Sequence, residues 1–351
     1  MEWVRGETIG RGSFAKVDLA ISKSSAAGVP PLMAVKSAPV YNSESLKHER
    51  EILGFLANSE NVIRCYGDSL SSENGERLYN IFLEYASSGS LFDRVRNCSD
   101  QLSESEVRTY TRSVLNGLKE VHSNGFVHCD VKLQNILLCS ENFEDGNDAV
   151  AKIADFGLAK RQNRAAENGH EFRGTPLYTA PETVVSGEFE SPADIWAVGC
   201  AVVEMITGAP AWKNETNIAS LLLKISQQSP ELPANLSPEI SDFLEKCFIR
   251  DAAKRWTAEM LLDHQFIATG TLNSKSSKTT ASPRCPFDFP EFITPTSNSL
   301  SGFDSWIEKD EDCAIFSQTD SSVNLPSATF RQLVSDQTSN WVFTSSWLIV
   351  R

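Results

Sequence analysis

The sequence predicts an α+β chain of two lobes, a small β-rich lobe carrying one helix and then a larger α-helical lobe, followed by a mostly disordered tail. Three observations carry this expectation. Short β-branched and aromatic runs dominate before residue 83, helical periodicity takes over after residue 90, and regular periodicity is lost beyond residue 267.

In the first lobe the runs Val17-Asp18-Leu19-Ala20-Ile21 and Met33-Ala34-Val35-Lys36 read as strands, bounded by Gly, Pro and Ser. Residues 45–58 interrupt them as a helix, with Leu46, Ile52, Leu53 and Leu56 at mixed spacings of three and four. In the second lobe, helices are expected at 104–123, 191–207, 218–226, 238–248 and 257–263. Ser103-Glu104-Ser105-Glu106 supplies a start signal for the first of these. The domain is therefore placed at residues 3–267, with a first lobe of about 3–83, a hinge at 84–90 and a second lobe of about 91–267. Residues 268–351 form the tail, in which roughly a third of the residues are Ser or Thr.

Composition narrows the function classes. At 351 residues the chain has enough apolar content for a substantial core. Its net charge of -14 and pI near 4.9 argue against nucleic acid or an anionic membrane as a partner, because both repel an acidic surface. Eight cysteines occur without a C-x-x-C pair, which points to free thiols rather than zinc or a redox dithiol. The N-terminal residues show no secretory h-region, and the apolar stretch from Ile195 to Ile206 is too short to span a bilayer. A cytoplasmic setting, extending to the nucleus, is expected.

The chemistry is carried by motifs in a fixed order. Ile9-Gly10-Arg11-Gly12-Ser13-Phe14-Ala15-Lys16-Val17 reads as strand, Gly-rich turn and strand, where glycines let backbone N–H groups approach phosphate oxygens. The signal is weak alone, since Ala15 replaces the usual third glycine. Lys36 lies inside a strand, where its charge needs an anionic partner. Glu49 and Glu51 on the following helix both offer a carboxylate. Next come His128-Cys129-Asp130-Val131-Lys132-Leu133-Gln134-Asn135, Asp155-Phe156-Gly157 and Ala180-Pro181-Glu182. A carboxylate five residues before an amide on one loop can hold a hydroxyl nucleophile and a Mg2+ ion side by side, while a second carboxylate chelates a metal bridging phosphates.

On these motifs, residues 3–267 resemble a eukaryotic Ser/Thr protein kinase. With Trp3-Val4-Arg5-Gly6-Glu7, Phe82-Leu83-Glu84-Tyr85-Ala86-Ser87-Ser88-Gly89-Ser90-Leu91 and Gly174-Thr175-Pro176-Leu177-Tyr178-Thr179, they resemble plant mitogen-activated protein kinase kinase kinases of the MEKK-like group. The short chain with its domain at the N-terminus is similar to the single-kinase-domain members. Thr179 departs from the methionine usual in that signature.

The resemblance implies a two-lobed kinase fold, and transfer of the ATP γ-phosphoryl to a MAP kinase kinase in a plant stress or hormone cascade. It implies Asp130 as catalytic aspartate, Asn135 and Asp155 as Mg2+ ligands, Lys132 as a neutraliser of the transferring group and Thr175 as its brace. Lys36 would bind the α- and β-phosphates. Glu49, rather than Glu51, stands at the separation kinases use to orient that lysine. Ile9, Gly10 and Gly12 belong to the phosphate-covering hairpin; Val17, Ala34 and Leu137 would sandwich adenine. Leu83 would be the gatekeeper, with Glu84 and Ala86 offering hinge backbone groups. Glu182 would pair with Arg255, and Asp194 would anchor the catalytic loop.

Cys129 occupies the place where regulated kinases carry a phosphate-binding arginine. No Ser, Thr or Tyr lies between Leu158 and Gly174. Activity independent of loop phosphorylation is therefore expected, and Glu171 is read as an ordinary acid rather than a phosphate mimic. Two alternatives compete. A pseudokinase or scaffold would account for Cys129, but Lys36, Glu49, Asp130, Asn135 and Asp155 are all of the right type. A receptor-like cytoplasmic kinase would be favoured by an acceptor in the loop, and the loop has none. In the tail, Ser282-Pro283 and Thr294-Pro295 suit feedback by a downstream MAP kinase or arise by chance. Trp341-Val342-Phe343 and Trp347-Leu348-Ile349-Val350 suit folding onto a partner or the domain.

Overall fold

The computed structural model describes residues 2–12, 15–23, 28–97, 101–139, 150–162, 173–213 and 217–268. Alternating apolar residues in the first lobe build a five-stranded antiparallel sheet. Its strands are β1 (Trp3–Arg11), β2 (Lys16–Ser22), β3 (Leu32–Pro39), β4 (Cys65–Glu73) and β5 (Glu76–Leu83), in the order β1-β2-β3-β5-β4. Ala20, Met33, Val35 and Phe82 are buried on one face with Trp3 packed against them, its ring edge-on to Phe82 at 5.1 Å. Val17, Ala34 and Leu83 join the main core.

Helix α1 (Glu44–Phe55) crosses between β3 and β4 and buries Leu46, Glu49, Ile52 and Leu53. It is shorter than the expected 45–58. The Leu56 N–H still reaches the Ile52 carbonyl, after which the Ser59 N–H turns back to Leu56, as suits the Asn58-Ser59 pair.

The second lobe contains α2 (Leu91–Asn97), α3 (Glu104–Ser123), α4 (Pro181–Ser186), α5 (Ser191–Thr207), α6 (Ile218–Gln227), α7 (Pro238–Cys247), α8 (Ala258–Leu262) and α9 (Gln265–Ala268). A reciprocal capping box between Ser103 and Glu106 starts α3, and Gly208 at φ 68° closes α5. Helix α5 is buried on nearly all sides, which explains its continuous apolar sequence. A Cβ at Gly199 would strike the Phe248 ring, so glycine is needed where α5 meets the end of α7.

Besides the expected helices, four short strands border the catalytic loop: β6 (Phe126–Val127), β7 (Ile136–Cys139), β8 (Val150–Ile153) and β9 (Lys160–Arg161). β6 pairs with β9, and β7 with β8, both antiparallel. These ribbons present the intervening loops at the boundary between the lobes.

Arg255 makes the expected pair, donating to both Glu182 oxygens at 2.6 and 2.9 Å while its side chain is fully buried. Arg108 donates to the Phe266 carbonyl at 2.7 Å, and Arg112 donates to that of Ile267, fastening α9 to α3. The five described cysteines are free thiols. Among the described residues no helix is long and apolar enough to cross a membrane. The expectations for Glu171 and for the tail residues Ser282, Thr294, Trp341 and Trp347 lie outside the described residues.

Candidate active site

Strand β3 points Lys36 off the sheet toward α1. Its Nζ lies 2.6 Å from Glu49 Oε2 and 3.0 Å from Asp155 Oδ1. This resolves the two candidate carboxylates, because Glu51 is largely exposed and pairs with Arg161 at 3.6 Å. The Phe156 N–H adds a bond to Glu49 at 3.3 Å. Burial alone would lower Lys36, but the charges of Asp155 and Glu49 outweigh it and push the ammonium up. Burial likewise raises Asp155, yet the attraction of Lys36 prevails and holds it below the usual carboxylate range. For Glu49 burial prevails over the attraction of Lys36, leaving its carboxyl raised. A cation held between two anions at the lobe boundary is positioned to meet phosphate oxygens.

Below it lies the catalytic loop between β6 and β7. Asp130 Oδ1 accepts from Thr175 Oγ1 at 2.8 Å. Its Oδ2 accepts from Asn135 Nδ2 at 2.9 Å and from Lys132 Nζ at 2.8 Å. Lys132 also donates to Thr175 Oγ1 at 2.9 Å, which closes a ring of three side chains around the carboxylate. The Asp130 N–H donates to His128 Nδ1 at 3.2 Å, so the His128 proton sits on Nε2 and is donated to the Ala154 carbonyl at 3.1 Å. The His128 ring meets Phe156 edge-on at 4.8 Å, linking the two loops.

Asp194 holds this loop from beneath. It accepts the N–H groups of His128 at 2.9 Å and Cys129 at 3.0 Å, and a bond from His122 Nε2 at 2.9 Å. Burial raises its carboxyl, but the His122 bond and the nearby histidines outweigh burial and keep it low. Cys129 and Asp155 both adopt left-handed backbone, at φ 67° and 66°. Non-glycine residues there carry strain of order ~1 kcal/mol that the surrounding bonds must offset. At Gly174, φ 88°, a Cβ would run into the Cys129 carbonyl, so only glycine lets the segment before Thr175 approach the loop.

Asn135 Oδ1 is buried with no hydrogen-bond partner among the described residues. Such an orphan acceptor fits a cation, and Asp155 supplies a second oxygen donor. No group of three or more His, Cys, Asp or Glu in metal-binding geometry occurs among the described residues. Two protein oxygens suit Mg2+, which keeps waters and substrate phosphates as its other ligands.

Val17, Ala34 and Leu83 sit in the core next to partly buried Ile9, Ala86 and Leu137, forming apolar walls at the hinge. Ala34 pairs with Leu83, and Leu137 bridges Ser90. The Glu84 N–H is spent on the Arg64 carbonyl at 2.8 Å, so its carbonyl is the backbone group it can offer a base. Gly10 pairs with Val17, while the Gly12 N–H closes the hairpin onto the Ala15 carbonyl at 2.8 Å. The hairpin tip, Ser13 and Phe14, lies outside the described residues.

Two features of the site have no signature in the sequence. The Glu84 side chain pairs with Lys152 at 2.7 Å, a contact across 68 positions with no local signal. Tyr178 is buried and its hydroxyl donates to Glu204 on α5, fastening the segment after Thr175. At Cys129, burial first and Asp194 second push the thiol well above its ordinary range, leaving a neutral S–H.

Residues 3–267 match the family described as protein kinase domain. Mitogen-activated protein kinase kinase kinase 20 of Arabidopsis thaliana is 43% identical over 369 residues, covering 100% of each chain. Mitogen-activated protein kinase kinase kinase 17 of the same plant is 42% identical over 275 residues, or 77% of this chain and 70% of that one. Mitogen-activated protein kinase kinase kinase 18 is 37% identical over 322 residues, or 89% and 91%.

Proposed function

From the premise that the chain belongs to the protein kinase family, as a Ser/Thr kinase of the plant MAP kinase kinase kinase type, we propose that its substrate is a MAP kinase kinase and that it acts without a phosphate on its activation segment. The substrate class is supported by similarity over the whole length of a relative bearing that name. The observation that carries the chemistry is the closed ring of Asp130, Lys132 and Thr175.

In this reading the substrate hydroxyl oxygen bonds to the γ-phosphorus of ATP, the bond from that phosphorus to the bridging oxygen breaks, and ADP leaves. Asp130 would take the hydroxyl proton, held in place by Thr175 and Asn135. Lys132 would face the charge on the transferring group, and Lys36, fixed by Glu49, would hold the non-transferring phosphates. Asn135 and Asp155 would hold Mg2+, whose chemistry is to neutralise phosphate charge. Ile9, Val17, Ala34 and Leu137 would enclose adenine, and Glu84 and Ala86 would meet its edge.

Phosphate independence is supported by Cys129, a neutral thiol where a phosphate receptor needs a cation, and by the lack of Ser, Thr or Tyr between Leu158 and Gly174. Ser282 and Thr294 in the tail are proposed acceptors for feedback by a MAP kinase. The test is to treat the full-length protein with phosphatase, remove the phosphatase, and supply labelled ATP with a panel of plant MAP kinase kinases. Transfer to at least one panel member at the untreated rate is expected. Transfer to none overturns the substrate class, and loss only after phosphatase overturns phosphate independence.

A further inference from the structure

A kinase that lacks a loop phosphate must fix α1 by other means, because Glu49 can orient Lys36 only while α1 stays against β9 and the loop before it. Two contacts hold the front of the helix, each from an α1 side chain to a backbone carbonyl: Ser45 Oγ donates to Gly157 at 3.1 Å, and His48 Nε2 bonds Ala159 at 2.8 Å. At the other end both partners are side chains. The Arg161 guanidinium carbon lies 5.1 Å from the centre of the Phe55 ring and 4.9 Å from that of Phe126. The two rings are 5.5 Å apart at 46°, and Arg161 Nη2 reaches Glu51 at 3.6 Å. Phe126 and Arg161 are cross-strand partners in the β6–β9 ribbon, so the cation is held from below by the catalytic lobe.

Phe55, the last residue of α1, is 52% exposed, so its ring is held at the surface only by what it contacts there. Arg161 gives it such a contact. A guanidinium spreads over two ring faces and still offers its fork to a carboxylate, which an ammonium does less well. Ser45 and Phe55 bracket Glu49 along the helix, so these contacts resist both sliding and outward rotation of α1.

We propose that Arg161 is a positioning residue that clamps Phe55 and Glu51 and thereby keeps Glu49 on Lys36 in place of a loop phosphate. The inference rests on the reading that the enzyme needs no such phosphate. It assigns Arg161 no contact with ATP or substrate.

The test uses full-length, phosphatase-treated protein as wild type, Arg161→Ala, Arg161→Lys, Phe55→Ala and the Arg161→Ala/Phe55→Ala double variant. Arg161→Ala should lower kcat about tenfold, equivalent to 1.4 kcal/mol of active conformation, with KM for the protein substrate within about twofold. Arg161→Lys should recover part of the loss. The double variant should be no slower than the worse single, because both remove one contact. An active wild type with an equally active Arg161→Ala overturns the clamp alone, as does an additive double variant or a loss matched by a fall in thermal midpoint. A wild type silenced by phosphatase overturns phosphate independence, and the clamp's stated role with it.

Discussion

The ammonium of Lys36 lies 2.6 Å from the carboxylate of Glu49, with both side chains closed off from solvent by the sheet and α1. The pair joins a strand to a helix and, through Asp155, one lobe to the other. Its half-removal and its full removal have different consequences.

Lys36→Met leaves Glu49 buried without its cation, which costs about 3 kcal/mol of stability, and it removes the phosphate clamp. Lys36→Met/Glu49→Leu should recover roughly 1–3 kcal/mol in urea unfolding, since an apolar pair avoids the desolvation penalty. Kinase activity should stay below about a hundredth of wild type in both variants.

Thr175→Ala breaks the ring around Asp130 by removing the hydroxyl that donates to it and accepts from Lys132. Misplacing a catalytic carboxylate by a fraction of an ångström costs on the order of 10 to 100-fold in kcat. Thr175→Ser keeps the hydroxyl and should stay within about threefold of wild type. Steady-state kinetics with a fixed protein substrate separates the two.

Asp194 gives a pH signature. Its carboxyl is held below the ordinary range in the folded protein, so its stabilisation is fully present above the unfolded value of about 3.9 and is lost as pH falls through the folded value. Asp194→Asn should lower stability by about 2–4 kcal/mol near pH 7, because an amide satisfies the His128 and Cys129 N–H groups less well. The variant should also show a shallower fall in stability as pH drops below about 4, read by urea unfolding at a series of acid pH values.

Much of the site was legible because its residues sit in short motifs whose order is itself the signal. The bounds of α3 and α5 were legible too, since the Ser103 cap and the Gly208 stop are written in the chain. The strands β6, β7, β8 and β9 were not. Runs of two to four residues hold no full period of alternation, and they form only because the catalytic loop folds back between them. Glu49 and Glu51 were separable in sequence only by the family spacing; packing supplies the physical reason, since one faces the sheet and the other solvent. The contacts of Glu84 with Lys152 and of Phe55 with Arg161 join residues far apart in the chain, and no local pattern encodes them.

The fastening of α9 by Arg108 and Arg112 sets where the core can be cut. A chain ending at residue 272 should keep ATP binding and a thermal midpoint within about 2 °C of full length. One ending at residue 264 loses buried Phe266 and Ile267 and should fall by about 3–5 kcal/mol, as expected for deleting large core side chains. Differential scanning fluorimetry with and without ATP reads both.

Asp130 is the residue to test, because its carboxylate accepts from both Lys132 and Thr175. The most direct measurement is label transfer from γ-labelled ATP to a MAP kinase kinase made catalytically inactive by substitution, using wild type and Asp130→Asn, followed by phosphoamino-acid analysis. Wild type should yield phosphoserine or phosphothreonine, and Asp130→Asn about a hundredfold less or lower still at an unchanged thermal midpoint. Equal labelling by the two proteins would contradict the role given to Asp130.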